Sequence, residues 1–150
     1  MENEITIIID NETIDRYNHF YFKEHPRAKK HPIPTPQHPS INTYTRMTYQ
    51  AANNLKQRWK DFITWVIVDL GYDGLQIDCC EITYRTFFYQ DRDHDLDNIS
   101  PKYIFDGFVG AGFIVDDNFR HIKKLITECD IDKEHPRMEF IVKICDKETV

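Results

Sequence analysis

"LQIDCCEITYRTFFYQDRDHDLDN", residues 75–98, decides how the chain is read. Its first part alternates. Cys80, Ile82, Tyr84, Thr86 and Phe88 fall on one side of an extended chain, and Glu81, Thr83 and Arg85 fall on the other, which is the period of a half-buried strand. The last eight residues then place Asp91, Asp93, Asp95 and Asp97 at every second position, with Arg92 and His94 the only basic groups among them. Two carboxylates ~5 Å apart at an effective dielectric of ~20 repel by roughly 3 kcal/mol. A strand that runs into four of them needs open solvent or a cation at its end.

The elements on either side follow from their own periods. From about Tyr44 to Leu70 the apolar residues Met47, Ala51, Leu55, Trp59, Phe62, Ile63, Val66 and Leu70 recur three and four apart, the spacing of an amphipathic helix, and Gly71 closes it. "EITIIID" (4–10) and "NHFYFKE" (18–24) have the composition of strands. Between residues 25 and 40 stand Pro26, Pro32, Pro34, Pro36 and Pro39, which forbid a helix or an inner strand and predict a long, extended, basic loop. In "SPKYIFDGFVGAG" (100–112), Ser100 is read as N-cap and Pro101 as first helical residue, with Ile104, Phe105, Phe108 and Val109 facing the core. Gly107 weakens that helix unless a close neighbour needs the room. After "FIVDDN" (113–118), "IKKLITEC" (122–129) and "RMEFIVKIC" (137–145) read as two strands joined by the polar turn "DIDKEHP". The expectation is one α+β domain over residues 1–150: a small mixed or antiparallel sheet packed against two main helices, with an extended Pro/His/basic loop at about 25–40.

Charge is distributed unevenly. The net of −6 divides into −5 over residues 1–15, +8 over 16–60 and −9 over 61–150. Binding a polyanion requires local rather than global positive charge, so this division permits nucleic-acid binding; a solvated basic loop on an acidic protein gives the same totals. No apolar run is long enough to span a bilayer, and the acidic start "MENEITIIID" lacks the basic and apolar parts of a secretory signal. A cytoplasmic protein is expected. Cys79, Cys80, Cys129 and Cys145 form no CxxC pair and are expected to be reduced thiols. His19, His25, His31 and His38 lack the paired spacing of a zinc site.

The aspartates fail as a calcium loop. Counting from Asp91 places Leu96 and Lys102, and from Asp93 Asn98 and Ile104, where an EF-hand needs Gly and Glu. Magnesium asks for less, a few carboxylate oxygens with waters left for a substrate. Asp95 and Asp97 share a face if the strand continues that far, and a helix and return carry Asp116 or Asp117 back towards them. Asp91 and Asp93, further from the helix, suit a solvated turn.

"DLDNISPKYIFDGFVGAGFIVDDNF" (95–119) resembles the signature of the RusA-type Holliday-junction resolvases: D-x-D-N, a helix with a lysine in its first turn, a glycine-containing bend and D-D. "HPSINTY" (38–44) is similar to that family's Pro-Ser-x-Asn-x-Tyr segment before its first long helix. This chain departs from the pattern by one more residue between Asn98 and Lys102. The resemblance implies a homodimeric endodeoxyribonuclease that cuts four-way DNA in recombination and repair. It implies Mg²⁺, or Mn²⁺, at Asp95, Asp97 and Asp117, with Asp116 as the alternative, and Lys102 at the scissile phosphate. Asn98 supports a carboxylate or a helix start. Arg27, Lys29, Lys30, Arg46, Lys56, Arg58 and Lys60 can track a DNA backbone, and His94 and His121 are possible proton carriers or plain surface histidines. Two other readings stay open: another DxD metal-dependent phosphoryl or glycosyl transferase, and a non-enzymatic acidic protein that mimics DNA.

Overall fold

The computed structural model describes residues 3–145. The chain is α+β: β1 (Glu4–Asp10), α1 (Asn11–Glu24), α2 (Ile41–Thr45), α3 (Tyr49–Leu70), β2 (Cys80–Phe88), α4 (Lys102–Gly110), β3 (Ile122–Ile131) and β4 (Arg137–Ile144), with a 3-10 turn at Leu96–Asn98. The four strands form one mixed sheet in the order β1-β4-β2-β3, in which β4 runs antiparallel to both β1 and β2, and β3 runs parallel to β2. The two last strands are therefore joined by the 132–136 turn without being neighbours, since β2 and β1 flank β4.

One face of the sheet makes the core. Ile7 and Ile9 of β1, Ile82 and Tyr84 of β2, and Met138, Phe140 and Val142 of β4 are all buried, in the alternation that the sequence shows for residues 80–88. Tyr84 and Phe140, cross-strand partners, stack with centroids 4.7 Å apart, and Phe108 of α4 meets Phe140 edge-on at 5.4 Å. Trp59, Phe62, Ile63 and Ile67 of α3 complete that layer. Trp59 is thus core, and its aromatic surface is used there. α3 ends at Gly71, whose φ of 79° is the left-handed conformation that glycine tolerates best.

Three readings of the sequence need correction. Residues 18–24 are helix, not strand. Asp10 and Thr13 form a reciprocal capping box that starts α1, and Ile14 and Tyr17 then bury on the 3.6 period, with Tyr17 4.9 Å from Phe62. The aromatic run that suggested a strand is the part of that helix turned towards Trp65 and the proline loop. The helix expected from Tyr44 is split. α2 stops at Thr45, and Thr48 caps a fresh start at Tyr49 by accepting from the Ala51 amide. Cys79 and Cys145 form a disulfide, leaving Cys80 and Cys129 as thiols. Cys80 pairs with Ile144 across β2 and β4, so the preceding and following cysteines stand opposite each other with Cα atoms 5.2 Å apart, a register that spacing alone does not reveal.

Gly107 is where α4 crosses α3. A Cβ there would lie 2.6 Å from Ile63 Cβ. Alanine improves an exposed helical glycine by about 1 kcal/mol. Here Gly107→Ala is expected to lower the unfolding free energy by about 1–3 kcal/mol through overpacking, read as a reduced urea midpoint; an unchanged or raised midpoint contradicts the close crossing. Thiol titration of the denatured, unreduced chain is expected to find two thiols, and four after reduction; four without reductant contradicts the Cys79–Cys145 bond.

Candidate functional site

The first helical amides of any helix have no acceptor within it. In this chain two helix starts solve that problem for each other. Asn98, just before α4, accepts at Oδ1 from the Asn42 amide in the first turn of α2, at 2.9 Å. His38, just before α2, accepts at Nε2 from the Tyr103 amide in the first turn of α4, at 3.1 Å. Tyr44 Oη donates to Ser100 Oγ at 3.2 Å, and that hydroxyl also accepts from the Lys102 amide at 3.2 Å. The partners are 56 to 65 residues apart in the chain. Asn98 is therefore a capping residue, but of α2. Ser100 serves the start of α4 through its hydroxyl, while Pro101 occupies the position before the first helical residue.

His38 is the pivot. Its ring lies against Trp59 at 5.4 Å, Tyr103 at 5.2 Å and Tyr44 at 6.3 Å. Nδ1 stands 2.7 Å from the Pro39 carbonyl, so Nδ1 carries the proton and Nε2 is left as acceptor. Desolvation in this aromatic enclosure lowers its pKa to about 4, and the Pro39 contact only partly offsets this. The loop before it is not wholly solvated: Pro32, Ile33 and Pro36 are buried, Ile33 completely.

The acidic stretch leaves the sheet. β2 ends at Phe88, and Asp95 precedes a 3-10 turn that contains Asp97. The two carboxylates are thus not alternate residues of a strand, because β4 and β3 offer β2 no partner past Phe88. Among the described residues neither Asp95 nor Asp97 has a side-chain hydrogen bond or an ion pair, and the same holds for Asp91 and Asp93.

The return after α4 is governed by topology. A parallel crossover brings the chain back to the end of the sheet where β2 begins, and Ile114 bridges Ile77 there. The acidic turn leaves from the opposite end. Asp117 accordingly lies beside Asp116 and within reach of the charge of Asp106. Desolvation, the Asp116 side chain and the charges of Asp106 and Asp116 together hold its carboxyl above the usual range. Asp106 faces Lys56 of α3 at 3.7 Å. It lies four residues after Lys102 on the same helix, a spacing that shares one face and that was the available signal for it. Lys102 is exposed at the start of α4.

Among the described residues no three His, Cys, Asp or Glu side chains are gathered so as to hold a metal ion. Asp95, Asp97 and Asp117 do not form a single cage as they stand. A hard cation such as Mg²⁺ needs only one or two carboxylates, completing its shell with water and phosphate. Asp95 with Asp97, and Asp116 with Asp117, are the two acidic pairs whose chemistry meets that smaller requirement. The second gains more from a cation, because its charges already repel.

Of the basic candidates, Arg27, Lys29, Lys30, Arg46, Lys56 and Arg58 are exposed and Lys60 is half-buried. Lys56 is paired with Asp106; the others make no ion pair with a described residue. His121 is tied to Asp78, 2.8 Å from its carbonyl and 3.2 Å from its carboxylate. His94 stacks on Phe88 with centroids 3.5 Å apart. A cavity of about 710 Å³ opens between the proline loop and the acidic stretch and reaches Asp95 and Asn98. No helix among the described residues is long and apolar enough to cross a membrane. No protein-family model matches the chain, and no curated protein matches it.

The His38 contact has a pH signature. Because its pKa is lowered on folding, the unfolded chain takes up the proton first, between its ordinary value near 6.5 and about 4. The stability is complete above pH 6.5 and is lost as pH falls through that window, by roughly 3 kcal/mol over a shift of this size. Denaturant unfolding at pH 7 and pH 4.5 is expected to show a larger loss for the natural chain than for His38→Gln, by roughly 2 kcal/mol. Equal losses contradict a neutral His38 acceptor.

Proposed function

We propose that this protein is a Mg²⁺-dependent endodeoxyribonuclease of the RusA type that resolves four-way DNA junctions as a homodimer, with Mn²⁺ as a possible substitute ion. The observation that carries the reading is the reciprocal capping of α2 and α4. The two stretches that resemble the resolvases, residues 38–44 and 95–119, are remote in the chain and are bonded to each other in the fold. A chance likeness in two separate segments gives no reason for them to meet.

The residues divide the work by chemistry. Asp95 with Asp97, and Asp117 with Asp116 beside it, are the two carboxylate pairs at either of which a cation would be held. Bound there, it would supply positive charge to polarise a water and to offset the phosphoryl oxygens. Lys102 projects from the first turn of α4, where its ammonium adds a point charge next to a phosphate. Ser100 and Asn98 hold that turn in place through the bonds to Lys102 and Asn42. Arg46 closes α2, whose first turn is bonded to Asn98; with the exposed Arg27, Lys29 and Lys30 of the preceding segment it would form a basic track for a DNA backbone.

Incubation with a four-way junction, a flap and a linear duplex tests the proposal. Paired symmetric cuts are expected in the junction with Mg²⁺ and none with EDTA. Asp95→Asn and Asp117→Asn are each expected to reduce cutting at least a hundredfold while junction binding persists or tightens. Normal cutting by either variant removes that residue from the site, and no cutting of any substrate by the natural chain in Mg²⁺ or Mn²⁺ sinks the proposal. Each backbone-tracking cation should add about 0.9 to the slope of log affinity against log salt, so removing Lys29 and Lys30 together should reduce it by about 2.

A further inference from the structure

β3 is an edge strand. Among the described residues it pairs with β2 alone, and its second edge meets no strand. Such an edge presents unpaired N–H and C=O groups, a ready template for another strand. The helical layer does not shelter it. Leu125 stands opposite the buried Ile82 and is still 44% exposed, and Ile126, on the other face, is 39% exposed. Lysine on an edge commonly deters pairing. In β3, however, the charges are sorted: Lys123 and Lys124 lie at its start, Glu128 and Asp130 towards its end. A parallel neighbour of the same sequence would set like charge against like, and an antiparallel one sets opposite charges together.

The registers of the sheet fix which antiparallel pairing fits. On the face turned away from the core, one row across the strands reads Glu4, Lys143, Glu81, Lys124, and another reads Ile8, Glu139, Arg85, Glu128. Between them run Thr6, Ile141, Thr83 and Ile126. Opposite charges on neighbouring strands attract and like charges repel. A two-fold axis at Ile126 sets Lys124 against Glu128 of a second copy and Ile126 against itself. The first row then continues into Glu128, Arg85 and Glu139 of that copy, and the sign alternates along its whole length. Among the described residues Lys124 has no ion pair of its own, while Glu128 is held by Arg85 at 2.9 Å. A shift of two residues either way sets Ile126 against Glu128 or Lys124, and a shift of one puts residues of opposite faces together. The bulge at Lys123 ends the regular ladder, so the paired stretch is 124–128 in each copy. That contact is small, which makes for a reversible dimer in the micromolar range.

We propose that the free edge of β3 is a docking surface for a second copy of this chain: two β3 strands pair antiparallel about a two-fold axis at Ile126 and join the two four-stranded sheets into one. The use of this dimer for paired cuts rests on the nuclease reading; the surface itself is argued from the edge and its charges.

Sedimentation equilibrium of the full chain, without DNA, tests this. A monomer–dimer equilibrium is expected. Lys124→Glu and Glu128→Lys, which each turn both ion pairs into like-charge contacts, should weaken self-association roughly tenfold, and an equimolar mixture of the two variants should restore it. Ile126→Cys places two thiols face to face on the axis, at a separation that a disulfide spans. It is expected to give a covalent dimer on mild oxidation, whereas Lys124→Cys, off the axis, is not; this pair serves if a charge variant does not fold. A natural chain that stays monomeric at millimolar concentration overturns the proposal. So does a dimer indifferent to both charge reversals, a mixture that does not recover, or an Ile126→Cys chain that cross-links no better than Lys124→Cys. A dimer that responds as expected but cuts no junction would sink the nuclease reading and leave this one standing. Junction cutting by a dimer that ignores the reversals would do the reverse.

Discussion

Two hydrogen bonds between helix starts hold this structure's chemistry together. A short helix cannot satisfy all its own first amides; in α2, five residues with none buried, Ser40 caps the Thr43 amide and Tyr44 packs on the core, and the Asn42 amide is left to Asn98. Asn98 supplies an acceptor to α2, and His38 supplies one to α4. Each accepting side chain sits just before the helix that the other caps. The acidic turn, the start of α4 and the end of the proline loop are thereby one assembly. The position of Lys102 depends on it, and so does the mouth of the cavity.

His38 makes the assembly conditional on its protonation state. Only the neutral ring leaves Nε2 as an acceptor, and the enclosure by Trp59, Tyr44 and Tyr103 keeps it neutral by excluding water. Four prolines before His38 and Pro39 after it limit the conformations that the loop gives up on folding, and Ile33 anchors it in the core. The loop therefore acts as a wall of the site instead of a solvated tether. The parallel crossover from β2 through α4 to β3 imposes the opposite tendency on the acids. It sends Asp116 and Asp117 towards the start of β2 while Asp95 and Asp97 leave from its end, so the fold itself keeps the two acidic pairs apart.

Much of this was legible in the sequence where one period dominated. The alternation of residues 80–88, the three-and-four spacing up to Leu70, the stop at Gly71 and the close neighbour required by Gly107 all appear in the fold. What failed was decided by partners distant in the chain. Residues 18–24 look like a strand by composition, but the capping box at Asp10 and the packing of Tyr17 on Phe62 and Trp65 set the helical period. The pairing of Cys79 with Cys145 depends on a strand register, and the capping of α2 by Asn98 depends on a neighbour 56 residues away. At the candidate site the distances between residues were not readable: the spread of Asp95 and Asp97 from Asp117, and the cavity floored by Thr86, follow from the crossover and have no local signature.

Amide hydrogen exchange in Asn98→Ala tests the shared capping most directly. Asn42 is expected to exchange at least tenfold faster than in the natural chain, while core amides such as Phe140 keep their rates. An unchanged Asn42 rate in that variant would mean that the two helix starts do not depend on each other, and the proximity on which the functional reading stands would be lost.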